Sequence, residues 1–502
     1  MSKRIAVVGG GPGGLFFATL MKKRRPEWEI TLFERNQADD AFGFGVVFSD
    51  ATLRKIEAAD SVLTDGLAEH GKRWEAIDVV AKGETRSFGG NGMSAIHRRT
   101  LLRLLQEKAA AAGVDMRFGE FVPDPAQLGD YDVIVAGDGA NSAFRTAIGD
   151  ERLGHAVEQA SAKFIWFGTD RMFDGLTFLH RRNEHGHFAV HAYPISADVS
   201  TFIVETDETT WRAAGLDEFD VTLPPGPSDE KTRAYIAELF AEELQGGTLL
   251  TNNSRWGNFR TRRTASWHAD NVVFLGDAVH TAHFSVGSGT KMAMEDAIAL
   301  ADALDAHPDD LGAAFSDYER VAQPQVARVQ DAARPSLRWW EHFGEYYEAF
   351  EPWQFAFHFF SRSIPLEKIR LRDSGFAEAS ETGWRARHGA EVLDTPLAVG
   401  EQSVPGRLLS RNADGGLVHA SGYELDASGA RVVDLDTAPS QTPTADAAFM
   451  IVTGGDEGER IFEAERLALG GSLPVLVEIV DGTPDRAATL VLSGRADAVI
   501  SR

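Results

Sequence analysis

The 502-residue chain contains no cysteine. Disulfides, thiolate nucleophiles and cysteine-ligated metals are thereby excluded, no metal site is expected, and the composition fits a reducing cytoplasm. Basic charge is also scarce: 50 Lys and Arg face 75 Asp and Glu, a formal net charge of −25. Such a surface repels nucleic acid and anionic membranes, so neither is expected as a partner. An anionic small molecule would need a local basic cluster. No apolar run approaches the roughly 20 residues of a membrane span. The first strand is expected from Arg4, which leaves no room for a leader peptide. No long-period repeat stands out, and nothing specifies an oligomeric state. What is present is the composition of an ordinary globular protein, 43% apolar and 25% charged, long enough for two or three domains.

Residues 4–35 read strand, glycine turn, helix, strand. A helical stretch at 98–113 leads to two more strands, DMRFGE and YDVIVAGDG. Apolar runs separated by helices predict a parallel sheet covered on both faces. FIWFGTD, LTFLHRR, HFAVHAYPIS and STFIVETD, within 164–207, are short β-branched or aromatic runs with brief turns, which predicts an antiparallel sheet. VVFLGDA (272–278) returns to the first domain, and helices are expected near 288–306 and 311–333. The aromatic-rich stretch 339–360 reads as a helix packed over the core in preference to a binding wall. After about 375 the composition shifts, and a Pro/Thr/Ser-rich stretch (437–446) precedes a small α/β pattern. The expected division is 1–160 with 255–335, 161–254, 336–375 and 376–502. In the tail, GGDEG (454–458) imitates a phosphate loop, but its glycine spacing is wrong and Asp456 and Glu457 would repel phosphate.

Gly9-x-Gly11-x-x-Gly14 lies between a strand and a helix. Gly9 permits a tight turn, Gly11 lets backbone approach a pyrophosphate, and Gly14 allows close helix–strand packing. Glu34 ends the next strand twenty residues after Gly14, placed for an adenosine ribose, and Arg35 follows it. Further on, Asp138 sits between two glycines at a strand end with Ser142 and Arg145 behind it, and Asp277 repeats that logic in NVVFLGDAVH. Arg98 opens a helix and can place a guanidinium on a phosphate. Gly276, Gly287, Ser288 and Gly289 exceed what one turn needs and read as room for a bulky ligand.

These motifs, in this order, resemble the flavoprotein aromatic hydroxylases, the single-component FAD monooxygenases. The resemblance covers roughly residues 3–375 and implies a Rossmann-type FAD-binding fold with an antiparallel sheet, α/β overall, followed by a small C-terminal α/β domain. It implies FAD as cofactor, NADH or NADPH as co-substrate and O₂ as oxidant. By it, Asp277 would bond the ribityl chain, Arg98 the pyrophosphate, and the amides of Gly287, Ser288 and Gly289 would face the flavin pyrimidine ring. Asp138 and Arg145 would be shared between FAD and the nicotinamide route. Phe284 and Lys291 depart from the usual proline and asparagine, and Ser49-Asp50 from the usual Pro-Asn, which moves the substrate-side wall. GFGVVFSD, FIWFGTD, W-x-NF and HFS-x-G-x-GT resemble a narrower group, the salicylyl-CoA 5-hydroxylases, with 2-aminobenzoyl-CoA monooxygenases and a violacein-pathway hydroxylase as neighbours. That implies oxygen insertion into an aromatic acyl-CoA. A free aromatic substrate such as tryptophan, a non-oxygenating FAD oxidoreductase and a non-catalytic FAD-stabilised scaffold stay open as alternatives.

Three histidine positions compete to take a phenol proton, and His191 and Tyr193 would line the pocket if their face points at the flavin. Alternation along HFAVHAYPIS puts His187, His191 and Tyr193 on one face, and His283 precedes Phe284 in the Gly-Asp loop. His280, within GDAVH, reads as structural. For the phosphates of CoA the basic candidates are Arg260-Thr-Arg262-Arg263 and His180-Arg181-Arg182.

Overall fold

The computed structural model describes residues 2–224, 226–287, 289–437, 447–471 and 473–502. Arg4–Val8, Glu29–Glu34 and Val133–Ala136 form the centre of a parallel sheet, with Val7 opposite both Leu32 and Val135. Asp115–Phe118 extends one edge and Val272–Phe274 the other, both parallel, and the two-residue strand His268–Ala269 closes the latter edge antiparallel. These strands are almost wholly apolar, so both faces must be covered. Helix Pro12–Arg24 supplies part of the cover, and it packs against Gly289–Ala306. Gly13 marks that contact, since a Cβ there would meet Leu275 Cδ1 at 2.7 Å and the Ala293 carbonyl at 3.0 Å.

The second sheet of this unit is antiparallel. His155–Thr169, Ser200–Thr206, Gly186–Pro194 and Leu176–Asn183 lie side by side, with Val204 opposite both Ile165 and Val190. Gly257–Thr264 pairs with the first part of His155–Thr169, a register shift intervening between Gln159 and Lys163. His155–Thr169 runs across the position where sequence reading ended one domain and began the next, and its partner Gly257–Thr264 ties the segment after 255 to it. Accordingly the chain up to Ile77 together with Asn91–Glu341 forms one compact unit. The last helix here starts at Leu311 and continues to Ala349, past the expected end near 333 and through Pro324 and Pro335. Each proline removes one helical N–H, but the burial of Trp339 and Trp340 rewards continuation.

Asp78–Gly90 and His342–Arg502 form the second unit. It takes in most of the aromatic-rich stretch, which sequence reading set apart as 336–375. Phe88, Phe360 and Phe376 pack ring to ring there, with centroids 4.7 to 5.3 Å apart. Its sheet runs Glu424–Leu425, Leu417–His419, Leu408–Arg411, Ala498–Ser501, Val475–Ile479, Phe449–Thr453, Ala430–Asp434, the last five parallel. Within the Pro/Thr/Ser-rich stretch, residues 438–446 lie outside the described residues. Among the described residues no helix is long and apolar enough to cross a membrane, and no cluster of acidic and histidine side chains could hold a metal.

Candidate active site

The glycine turn has the three properties its spacing required. Gly9 has φ +111°, and a Cβ there would lie 2.2 Å from the Gly137 carbonyl oxygen. At Gly14 a Cβ would lie 2.1 Å from the Gly9 carbonyl oxygen, so helix and turn touch backbone to backbone. Gly11 has no neighbouring atom within 4 Å of that position and faces open space. Glu34 accepts the Gly10 amide at 2.7 Å through one oxygen, and the Asn36 amide and side chain at 2.8 and 2.6 Å through the other. A cavity of about 220 Å³ lies here, bordered by Gly9, Gly11, Glu34, Arg35, Asp138 and Asn141. Asp138 Oδ2 caps the following helix by accepting the Ala143 and Phe144 amides, while its buried Oδ1 has no hydrogen-bond partner among the described residues. That unpartnered oxygen, the open face of Gly11 and the oriented Glu34 fit the polar, hydroxyl-bearing half of a dinucleotide.

A larger cavity, about 320 Å³, continues from Gly11 and Gly14 to Arg98, Asp277, Gly287 and Gly289. Arg98 makes no side-chain hydrogen bond with a described residue; burial lowers its pKa and Asp277 opposes that shift. Asp277 borders this cavity, and desolvation raises its carboxyl pKa, against His280, Arg98 and Arg262. Gly287 has φ +61° and would press a Cβ to 3.1 Å from Val47 Cγ1, and Gly276 has φ +62° beneath Ala293. Ser288 lies outside the described residues. Arg145 is engaged elsewhere: its guanidinium donates to the Ala278 and Ala140 carbonyls at 2.6 and 3.1 Å, tying the two Asp-bearing turns together. His280 is a structural histidine, 2.6 Å from Asp296, whose same oxygen accepts the Gly276 amide.

The far wall of the cavity is aromatic. Phe284 lies against Phe164, Trp166 and Phe259, with centroids 5.0, 6.1 and 6.1 Å away, and Tyr193 joins the lining. Phe164 and Trp166 are two apart on one strand, and so share a face; that alternation was readable in FIWF, but which face met the cavity was not. His191 and His283 do not line the wall. They sit behind Phe284, at 5.6 and 4.3 Å between ring centroids. Glu205, which sequence reading passed over, lies between them: one carboxylate oxygen is 2.6 Å from His191 Nε2 and the other 3.8 Å from His283 Nε2. All three are at most 3% exposed. Burial pushes the Glu205 carboxyl up to about 7, with His283 opposing and Glu341 adding to the rise. His283 Nδ1 is also 2.8 Å from Ser285 Oγ, itself 2.8 Å from Ser336 Oγ. An acid inside the apolar run FIVET was the available signal.

The arginines expected to meet phosphate lie elsewhere. Arg262 is buried, 3.3 Å from His155 Nε2, and Arg263 donates to Gln330 at 2.8 Å. Arg181 pairs with Glu243 at 2.7 Å and with Glu242. None of these three borders the cavities above.

A parallel sheet ending in a glycine turn, a ribose-side acid and a long cleft closed by aromatic rings define a dinucleotide-binding oxidoreductase fold. A family described as FAD binding domain matches residues 130–332. The chain is 50% identical to a salicyloyl-CoA 5-hydroxylase of Streptomyces sp. over 99% of both chains. It is 39% identical to the 3-hydroxy-4-methyl-anthranilyl-[aryl-carrier protein] 5-monooxygenase of Streptosporangium sibiricum, over 67% of this chain and 88% of that one. Solved structures share the fold: a 2-methyl-3-hydroxypyridine-5-carboxylic acid oxygenase at 20% identity and TM-score 0.55 covers 68% of this chain and 93% of that one. PqsL of P. aeruginosa matches at 22% identity and TM-score 0.52, over 68% and 97%. The chain belongs to the FAD-dependent aromatic hydroxylases, flavoprotein monooxygenases that consume NAD(P)H and O₂.

Proposed function

We propose that the chain hydroxylates an aromatic acyl-CoA thioester, salicyloyl-CoA at the ring carbon para to the hydroxyl, giving gentisyl-CoA. Substrate, O₂, NAD(P)H and a proton go in; hydroxylated thioester, water and NAD(P)⁺ come out. The observation that carries this reading is an aromatic-walled cavity contiguous with the dinucleotide turn. It is joined by 50% identity along the whole chain to a protein named for that substrate. The second relative's name also puts the aromatic acyl group on a carrier. A need for NAD(P)H supports a cytoplasmic location.

Gly9, Gly11, Gly14, Glu34 and Arg35 would hold the adenosine end of FAD, Arg98 and Asp138 its middle, and Asp277, Gly287, Ser288 and Gly289 the flavin end. When bound, FAD supplies two-electron redox chemistry and activates oxygen. The protein's part is to present the ring. Phe164, Trp166, Phe259 and Phe284 hold a flat substrate and exclude water, and Tyr193 offers a hydroxyl at the same wall. Electrophilic attack on the ring is favoured when the phenol approaches its anion. His283 and His191 share the Glu205 carboxylate one side chain behind Phe284, so a charged imidazole is stabilised there. They act on the phenol electrostatically, with no direct contact to the ring.

The test is NAD(P)H consumption by the FAD-loaded enzyme against a panel of benzoyl-CoA derivatives, with product mass. Salicyloyl-CoA should stimulate consumption and gain one oxygen atom. Stimulation by free aromatic acids or tryptophan alone would refute the thioester reading. Consumption without oxygen gain would refute hydroxylation of that substrate.

A further inference from the structure

An anionic carrier needs cations, and in a chain of net charge −25 they must be local. Of the arginines flagged by sequence, Arg181, Arg262 and Arg263 are engaged within the fold. A separate cavity of about 310 Å³ shares Val47 and Gly287 with the flavin-side cavity and is otherwise bordered by Ser49, Thr52, Lys291 and Arg328, with Met93, Val329 and Ala332 as its apolar floor. Val47 and Gly287 thus border both the aromatic-walled cavity and the cationic recess.

The charges here do not cancel. Lys291 Nζ is 3.4 Å from one oxygen of Glu295, and Lys55 Nζ is 3.5 Å from the other. One carboxylate therefore serves two ammonium groups, and Arg328 adds a third cation. Arg328 commits its Nε to the Pro324 carbonyl of its own helix at 3.1 Å, and its terminal nitrogens bond to no described residue. The Ser49 and Thr52 hydroxyls, hydrogen-bonded to each other at 3.1 Å, leave one O–H to donate to a phosphate oxygen.

We infer that this recess, Lys291 and Arg328 above all, is the binding site for the phosphate-bearing nucleotide end of the acyl carrier, so that a thioester substrate reaches from it past the shared Val47–Gly287 border to the aromatic cavity. The inference rests on the thioester reading above. The same phosphate chemistry is present in NAD(P)H, and the test separates the two.

Lys291→Ala, Arg328→Ala and the double variant, all FAD-loaded, are compared with the unaltered enzyme in two assays. In the first, binding of coenzyme A alone is measured by calorimetry; each single variant should weaken it about ten-fold, the effect of one lost charge-assisted contact. In the second, kcat/KM is measured for salicyloyl-CoA and for the uncharged salicyloyl N-acetylcysteamine thioester. The preference for the CoA form should fall by about the same factor, while KM for NADH stays within two-fold. Unchanged coenzyme A affinity, or a rise confined to the NADH KM, overturns the inference. Coenzyme A binding that depends on both residues without hydroxylation of either thioester leaves the recess standing and sinks the thioester reading. Hydroxylation of both thioesters with an unaltered preference does the reverse.

Discussion

The chain builds two parallel sheets whose strand ends meet opposite fates. At the carboxyl edge of the first, Val8 and Ala136 are followed by Gly9 and Gly137, and Gly276 closely follows the third strand, Val272–Phe274; cavities open there. At the same edge of the second, Thr453, Glu478 and Arg502 meet instead. Glu478, 1% exposed, accepts from Arg411 Nε at 2.7 Å, Arg502 at 2.7 Å and the Thr453 hydroxyl at 2.5 Å. The glycines of GGDEG are occupied as well, because Arg460 binds both the Gly454 and Gly455 carbonyls at 2.6 Å. Parallel sheets bind ligands at that edge, but only where side chains leave it open. The first edge leaves its polar groups for a cofactor, and the second satisfies them internally.

The sharpest way to break the contrast is to fill the open edge. Gly14→Ala puts a methyl 2.1 Å from the Gly9 carbonyl oxygen, a backbone neighbour that cannot move aside. We expect loss of bound FAD and more than about 3 kcal/mol of destabilisation, seen as colourless protein with a lowered calorimetric transition. Yellow protein of normal stability would mean the turn is not closed as described.

Next comes emptying the plugged edge. Glu478→Ala strands Arg411 and Arg502 and should cost about 2–3 kcal/mol, toward the lower end for a broken pair because the arginines are 37% and 50% exposed. FAD content should not change. The same pair gives a pH signature. Burial alone would raise the Glu478 carboxyl, but bonds from Arg502, Arg411 and Thr453 prevail and hold it at about 2, below its ordinary 4.5. Its contribution is therefore complete above about 4.5 and lost as pH falls toward 2, a decline that Glu478→Ala should flatten in acid-unfolding curves.

Both edges show what a sequence can carry. The glycine fingerprint, Glu34 and the order of the Asp-bearing turns were legible because each role is local, fixed by spacing along one strand, turn and helix. The cavity wall was only half legible. Phe164 and Trp166 alternate visibly, yet Phe259 reaches them from a strand about ninety residues away. Charge was the least legible property: Arg262 looks like a surface cation in RTRRT but is buried 3.3 Å from His155 Nε2. Lys291 read only as a departure from a family pattern and turned out to line a recess. A domain boundary at 376 failed for the same reason, because aromatic packing between Phe88 and the residues after 342 is nonlocal.

Glu205 tests whether the open edge is also the chemically active one. Glu205→Gln keeps shape and removes charge, so FAD should remain while hydroxylation slows about ten- to a hundred-fold, the lower range for a displaced proton acceptor. A purely structural role would leave the pH profile alone. Between about 4.5 and 7 the folded protein keeps a Glu205 proton that the unfolded chain has released. Stability therefore falls as pH rises through that window. The groups facing this carboxyl are His191, His283 and, more distantly, Glu341. The glutamine variant should lose that slope and shift the acid limb of the rate profile; an unshifted limb at normal rate would remove the pair from the chemistry.

The smallest effect is the most discriminating about the turn. Glu34→Gln leaves one carbonyl oxygen for two sets of donors, the Gly10 amide and the Asn36 amide and side chain, so one bond must be given up to an opposing N–H. If Glu34 mainly shapes the turn, the variant and Asn36→Ala should weaken FAD alike, about three-fold each, because each costs one neutral-scale hydrogen bond. If the carboxylate also receives a ribose hydroxyl, Glu34→Gln should weaken FAD about ten-fold and Asn36→Ala by much less. Titrating the apoprotein with FAD by flavin fluorescence separates the two. The second outcome is expected, because Glu34 borders the 220 Å³ cavity beside the open face of Gly11.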